Sequence, residues 1–489
     1  MLVLWPVHQL EMDHSQYLGI MTISAVLKEH GIPTEVISAD LEHISERIEG
    51  EDDVILAYST PSAHATVYIE LNRQLKRSHP QVLSVFGGTH PTYFPEMVED
   101  EGVDGVCVGE GEYPMLELVI ARAAGESVNS IANWWIKDNG TIHRNAVRPL
   151  IEDLDELPVP DRGIFRLAAN QSLAHAIVMT GRGCPYNCSY CFNHVYHRLY
   201  AGKGNVVRRR TVDHVMRELR QLKEDGCGFI RFMDDLFILL PEWVQEFARR
   251  YREEIGLPFS CLVRANLVTE EIVKSLKEAG CHRIMMGIEA GSERLRLEIL
   301  KRRMSSEQIL EAARIIRGAK IKLVTANILA IPGGSIREDW ETVDLNILAR
   351  PNYASASILQ AFPGTEIHEI AEHLDLLEDD HLERISQGGF GFTTAMKGTD
   401  AGEIRQIENL HKFFPLVVWF PWLKPVIRLL IKLPPNRFFE LMYMACINFG
   451  THFISIPPSI GGPLLWRKLK RRFLPGSRRA ATRAEADGK

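Results

Sequence analysis

Hydrophobic and polar positions along the chain fall into two successive series of short apolar runs separated by segments of helical period, followed by a region with neither rhythm. In the first series MLVLWP, TEVIS, VILAYS, VLSVFGG and GVCVGEGE are strand candidates, with helical segments over 17–30, 68–78 and from about Tyr113. Strands that alternate with helices are parallel βαβ units, so residues 1–140 predict a doubly wound, Rossmann-like parallel sheet. Ligands of such sheets sit at the carboxyl ends of the strands. Those ends carry Ser59-Thr60, Gly87-Gly88-Thr89-His90 and Gly109-Glu110-Gly111-Glu112. Each alone is an ordinary strand-to-helix turn; three on one rim point to a ligand edge.

Residues 141–170 include the acidic, proline-containing RPLIEDLDELPVPDRG, follow neither period, and read as a linker. The second series runs HAIVMT, GFIRFMDD, FSCLVRA, HRIMMGIEA, LVTANILAIPGG and YASASILQAFPG, with helical segments such as 212–224, 242–254, 270–279, 305–318 and 337–349 between them. Six βα units predict a partial (β/α)6 TIM-type barrel over 171–370, with its active site at the C-terminal rim. Asp234, Asp235, Arg264, Asn266, Glu289 and Pro332-Gly333-Gly334 fall on that rim. Residues 371–475 are rich in aromatics and leucine, are broken by Pro415, Pro421, Pro425, Pro434 and Pro435, and predict a mainly helical region packing over the barrel mouth. The small, polar residues 476–489 predict a disordered tail. The fold class is therefore α/β with a helical C-terminal region.

The 489 residues are 45% hydrophobic and 24% charged, as in an ordinary globular protein of two or three domains. A formal charge of −7, and a barrel rim without a basic stripe interleaved with aromatics, disfavour a nucleic-acid partner. The first residues carry no basic start, long apolar stretch and cleavage site, and no run reaches the roughly 18 apolar residues of a spanning helix. The cytoplasm is the expected location.

Eight cysteines are present, and three fall within residues 181–191, GRGCPYNCSYC. Thiolates are the usual ligands of iron–sulfur clusters, most of which take four. Cys184, Cys188 and Cys191, spaced to wrap one loop, would leave the fourth iron of a cubane open. The competing reading is structural zinc, with His194 completing a Cys3His tetrahedron.

The stretch from Cys184 to Cys191 resembles the C-x3-C-x-φ-C signature of radical S-adenosylmethionine (radical SAM) enzymes, Tyr190 being the aromatic. LPVPDR, FMDDLF, HRIMMGIEAGSE and ILAIPGG are similar to the branch with an N-terminal cobalamin-binding-type domain, and VFGGTHPTYFPE and DGVCVGEGE to that domain's own elements. The likeness covers roughly residues 1–370. It implies one 4Fe–4S cluster on Cys184, Cys188 and Cys191, with S-adenosylmethionine on the open iron and reductive cleavage to a 5′-deoxyadenosyl radical. It also implies that Asp234 or Asp235 meets the methionine ammonium, Arg264 the carboxylate or ribose and Glu289 the ribose, while Tyr190 lies by the adenine. An electron donor such as flavodoxin or ferredoxin is implied as well.

Cys107 alone in residues 1–150, and Cys446 alone in the C-terminal region, leave no ligand set for a second cluster. The Asp-x-His-x-x-Gly motif that ligates cobalt from below is absent; Asp13-His14 with Gly19 does not match it. Relatives of this branch hold the corrinoid without it, so cobalamin is expected, with Ser59, Thr60, Gly87, Gly88, Glu110 and Gly111 outlining its nucleotide-tail site. The expected activity is cobalamin-dependent methyl transfer to an unactivated centre of a small or lipid-like metabolite. The alternatives are a radical SAM oxidoreductase, cyclase or deoxygenase whose first domain binds no cobalamin, and a non-catalytic zinc protein. Trp419 and Trp422, interleaved with Lys424, Arg428 and Lys432, and the later WRKLKRRF give the tail an interfacial character, so peripheral contact with the inner face of a membrane is also an expectation.

Overall fold

A computed structural model describes residues 1–8, 17–51, 53–165, 174–381, 393–397 and 401–457. Asp13-His14, WRKLKRRF and the expected disordered tail lie outside the described residues. The chain divides into two compact units, the first of residues 1–226, 298–302 and 360–397, the second of 227–297, 303–359 and 398–489.

The first unit holds strands β1 (Leu2–Val7), β2 (Thr34–Ser38), β3 (Val54–Ser59), β4 (Leu83–Gly87) and β5 (Gly105–Cys107), which pair in parallel in the order β2-β1-β3-β4-β5. The expected doubly wound sheet is present. Its two faces are both apolar, as a covered parallel sheet requires. Val3, Trp5, Ala57, Val85 and Cys107 pack against helices Leu18–Glu29 and Glu112–Ala123, and Leu4, Leu56, Tyr58 and Phe86 lie on the other side with Tyr68 of helix Ala65–Ser78.

Sequence reasoning stopped the sheet too early. β6 (Trp134–Asp138) and β7 (Thr141–Arg144) extend it antiparallel beside β5, so a domain boundary at residue 140 would cut a hairpin. Its turn has Asn139 at φ +46° and Gly140 at φ +80°, the paired left-handed residues of a tight two-residue hairpin. Further on come β8 (Ala176–Val178) and the short antiparallel pair β9 (Gly181–Arg182) and β10 (Arg208–Arg209), which straddles the cysteine loop.

The second unit carries β11 (Ile230–Phe232), β12 (Phe259–Val263), β13 (Cys281–Glu289), β14 (Lys322–Leu329) and β15 (Tyr353–Ile358), parallel and side by side in that order. Helices Pro241–Glu254, Glu270–Glu278, Ser306–Gly318 and Ile336–Ala349 alternate with them, close to their expected bounds. Phe232 and Phe259 pack edge-on against Phe247, which fixes the helix-facing side of these strands.

The C-terminal region is helical as expected, over Ala401–Trp419, Lys424–Leu430 and Arg437–Phe449. Leu410, Phe413, Phe414 and Val417 pack with Ala354 and Ala356 of β15 and Val343 of the neighbouring helix, along the side of the sheet. Ile454 and Trp419 then join Met285, Val324 and Tyr353 toward the amino ends of β13–β15. One side of the tail helices is thus covered by the edge strand and its neighbouring helix.

Candidate functional site

At the carboxyl ends of β3, β4 and β5 a mostly apolar cavity of about 340 Å³ opens between the sheet and helices Leu18–Glu29 and Glu112–Ala123. Ser59, Gly87, Gly88, Glu110 and Gly111 line it as expected, together with Trp5, Ile23, Met115 and, from the former linker, Leu157 and Pro158. Thr60 does not. Its N–H donates to the Gly87 carbonyl and its own carbonyl accepts from His90, so it ties two strand ends together. The glycines also divide. A Cβ on Gly87 would meet only Cys107 Cβ at 3.8 Å, which leaves room for a ligand. Gly88, at φ +97°, would meet the Thr60 backbone at 3.0 Å, and a Cβ on Gly109 would lie 1.8 Å from the Tyr200 hydroxyl. Those two are glycine because protein, not ligand, comes close.

Glu110 needs a correction of role. Its carboxylate takes Arg182 and Arg208, each at 2.8 Å, and accepts from Ile151 N–H at 3.3 Å. Burial pushes its pKa up, but the charges of Arg182 and Arg208 outweigh that and hold it below the ordinary range. Glu112 takes Arg182 through Oε1 at 2.6 Å, while its buried Oε2 has no hydrogen-bond partner among the described residues. At the other end of the cavity Glu218 is buried between Arg162 and Arg210, and Arg210 Nε donates to His214 Nδ1 at 3.0 Å. The arginine partners were not singled out from sequence; most of these ion pairs join residues far apart in the chain.

The cysteine loop begins directly after Arg182. Gly183 sits at φ +83° with Val206 O only 2.1 Å from where a Cβ would be, so the chain can turn into Cys184 only with glycine there. The loop is anchored from both sides. Buried Ser189 donates through Oγ to Ile299 O at 2.6 Å and through N–H to Leu300 O at 3.2 Å, and accepts from Ile367 N–H at 3.0 Å. His197 bridges the Asn187 side chain and the Cys184 carbonyl, both at 2.8 Å. Asn193 Nδ2 donates to Cys191 Sγ at 3.5 Å. Phe192 stacks on Tyr93 of the first domain with centroids 4.2 Å apart.

His194 is committed elsewhere. Its Nδ1 donates to the Cys191 carbonyl and its Nε2 accepts the Glu366 N–H at 3.2 Å, so neither nitrogen has a lone pair left for zinc. Among the described residues no three His, Cys, Asp or Glu side chains gather as a single metal ion demands. A cubane does not demand it, since each thiolate takes its own iron.

Of the expected S-adenosylmethionine contacts, Tyr190 lies in the loop and its hydroxyl accepts from Arg302 at 3.2 Å. The others stand at the ends of adjacent strands of the second unit. Asp234 is buried and Asp235 exposed, just past β11; buried Arg264 follows β12 and donates to Asn266 at 2.9 Å; Glu289 ends β13. Glu289 has φ +66°, an uncommon conformation for a non-glycine residue and one that clusters at functional sites.

Residues 178–345 match the family model of the radical SAM superfamily, and residues 10–119 that of the B12 binding domain. The chain joins a B12-binding domain to a radical SAM domain. It is an enzyme; its radical SAM domain takes a 4Fe–4S cluster and S-adenosylmethionine, and its B12-binding domain cobalamin. An uncharacterized methyltransferase of Pyrococcus horikoshii is 28% identical over 373 residues, 74% of this chain and 79% of the relative. The cytidylyl-2-hydroxyethylphosphonate methyltransferase of Streptomyces wedmorensis is 23% identical over 419 residues, 72% and 76% of the two chains. Among solved structures, the cobalamin-dependent S-adenosylmethionine radical enzyme OxsB, with aqua-cobalamin and S-adenosylmethionine bound, superposes with a TM-score of 0.69 at 17% identity, over 96% of this chain and 75% of that one. That last likeness is one of fold.

The ligand set has a direct check. After anaerobic reconstitution, His194→Ala is expected to keep about four irons per chain while Cys191→Ala loses them. Equal loss in both, with zinc at one equivalent in the parent, would restore the Cys3His reading.

Proposed function

We propose that this radical SAM enzyme carries out cobalamin-dependent methyl transfer to an unactivated centre of a small or lipid-like metabolite. The observation that carries the reading is a shared element: Arg182, which opens the cysteine loop, pairs with Glu110 and Glu112 at the wall of the first-domain cavity. The names of the two relatives, both methyltransferases, support it.

The residues present fit the groups. Cys184, Cys188 and Cys191 are reduced thiols on one anchored loop and would hold the cluster. Asp234, Arg264 and Glu289, at neighbouring strand ends of the second unit, would hold S-adenosylmethionine; exposed Asp235 is the weaker of the acidic pair. The cavity lined by Ser59, Gly87 and Gly111, apolar but with the unpartnered Glu112 Oε2 at its wall, suits the nucleotide tail of cobalamin. When bound, the cluster with S-adenosylmethionine supplies a 5′-deoxyadenosyl radical that removes hydrogen from the substrate, and cobalamin supplies a methyl carrier. Half-buried Glu110 and Arg182 with buried Arg208 keep the loop and the cavity wall in one register, and Leu157 and Pro158 add apolar lining to the cavity. A flavodoxin or ferredoxin would deliver the electron.

The lipid-like half of the reading rests on the tail helices. Trp422 (73% exposed), Leu429 (68%), Phe438 (67%) and Leu441 (70%) stand in solvent, and Arg428, Lys432 and Arg437 beside them are exposed as well. No helix among the described residues is long and apolar enough to cross a membrane, so such a face would lie in the interface of an anionic bilayer.

Reduced, reconstituted enzyme is expected to convert S-adenosylmethionine to 5′-deoxyadenosine, and each of Cys184→Ala, Cys188→Ala and Cys191→Ala to reduce this to background. No 5′-deoxyadenosine from the parent would end the reading. The intact chain should also float with anionic liposomes, and Trp422→Glu combined with Leu429→Glu should abolish flotation; a parent that stays in the soluble fraction would remove the membrane contact.

A further inference from the structure

Two arginines of the second unit, Arg283 buried and Arg231 half-buried, lie in one row across its strands. Arg231 of β11 is level with Ser260 of β12, and Ser260 with Arg283 of β13. Phe232 and Phe259 face the helices, so alternation puts Arg231 and Ser260 on the opposite, inner face. A register slip between Phe259 and Ser260 brings Arg283 into the same row, where its Nη2 donates to Ser260 Oγ at 3.1 Å.

Arg283 is 5% exposed, its Nε is buried without a hydrogen-bond partner, and neither it nor the half-buried Arg231 has a carboxylate in ion-pair range among the described residues. Arg162, Arg208 and Arg210, by contrast, take carboxylates, and Arg296 takes the Met304 and Ala290 carbonyls. Burial and the charge of Arg231 lower the Arg283 pKa to about 10, and burial lowers that of Arg231. A buried guanidinium without an acceptor is expensive, and two that repel each other more so.

We propose that Arg231, Ser260 and Arg283 form a binding site for an oxyanion group, phosphate or carboxylate, carried by the substrate. The guanidinium fork matches such a group in two-point geometry. Ser260 Oγ accepts from Arg283, which leaves its O–H to donate to the anion. Arg264 at the rim lies four positions beyond Ser260, about 13 Å at the rise of an extended strand. The substrate is therefore elongated, with its anionic end at this row and its reacting carbon near the rim. That the anion belongs to the substrate rests on the reaction proposed above; the anion site does not.

Thermal unfolding of the full-length protein without S-adenosylmethionine tests the site, with inorganic phosphate, acetate and chloride compared at equal ionic strength. A saturable rise of a few degrees with phosphate or acetate over chloride is expected, lost in Arg283→Gln and in Arg231→Gln, while both variants unfold in chloride no lower than the parent because a repelling charge is gone. No rise in the parent, or an undiminished rise in both variants, would overturn the proposal. Because this readout needs no turnover, failure of the anion site and failure to form 5′-deoxyadenosine are separately visible.

Discussion

The arrangement of the first unit depends on a buried ion-pair network of Glu110, Glu112, Arg182 and Arg208. Removing charges from water is costly, and a charge whose partner is taken away inside the protein costs about 3–5 kcal/mol. The GEGE turn at the end of β5 and the β9–β10 pair that brackets the cysteine loop are therefore bound to a single relative position. Glu110 N–H donates to the Tyr200 hydroxyl at 3.1 Å, and Gly109 leaves the space that this hydroxyl occupies. The cavity wall and the cluster loop are thus parts of one polar assembly.

The far side of the loop has its own constraint. Ser189 sits between two of the cysteines and spends its side chain, N–H and carbonyl on residues 299, 300 and 367. Those contacts come from segments more than a hundred residues later in the chain, which close onto the loop and complete the first unit. Tyr93 stacked on Phe192 adds an aromatic contact from the B12-binding domain. Loops that carry catalytic groups gain precision when their backbone is held this way.

Much of this was legible beforehand. The strands of both series stood out as apolar runs because they pack against helices, and the three cysteines stood out because their spacing is a local property. The β6–β7 hairpin was missed although Asn139-Gly140 is a strong turn signal; the exposed, polar Thr141–Arg144 resembled a linker. Helix Leu41–Ile48 escaped because only Ile44 and Ile48 are buried in it. The ion pairs were not legible at all. Nothing in the residues around Arg208 says that it belongs to Glu110, 98 positions earlier. His194 stands at the spacing of a zinc ligand, and the fold uses its nitrogens for backbone contacts instead.

The central claim is that the first-domain cavity seats cobalamin while the loop beside it independently seats the cluster. Gly87 offers the cleanest test, since its side chain would enter the cavity with no backbone in the way. Corrinoid and iron are counted per chain in the parent and in Gly87→Leu after growth with cobalamin. The account predicts corrinoid in the parent, its loss in the variant, and about four irons in both; corrinoid bound undiminished by Gly87→Leu would contradict it.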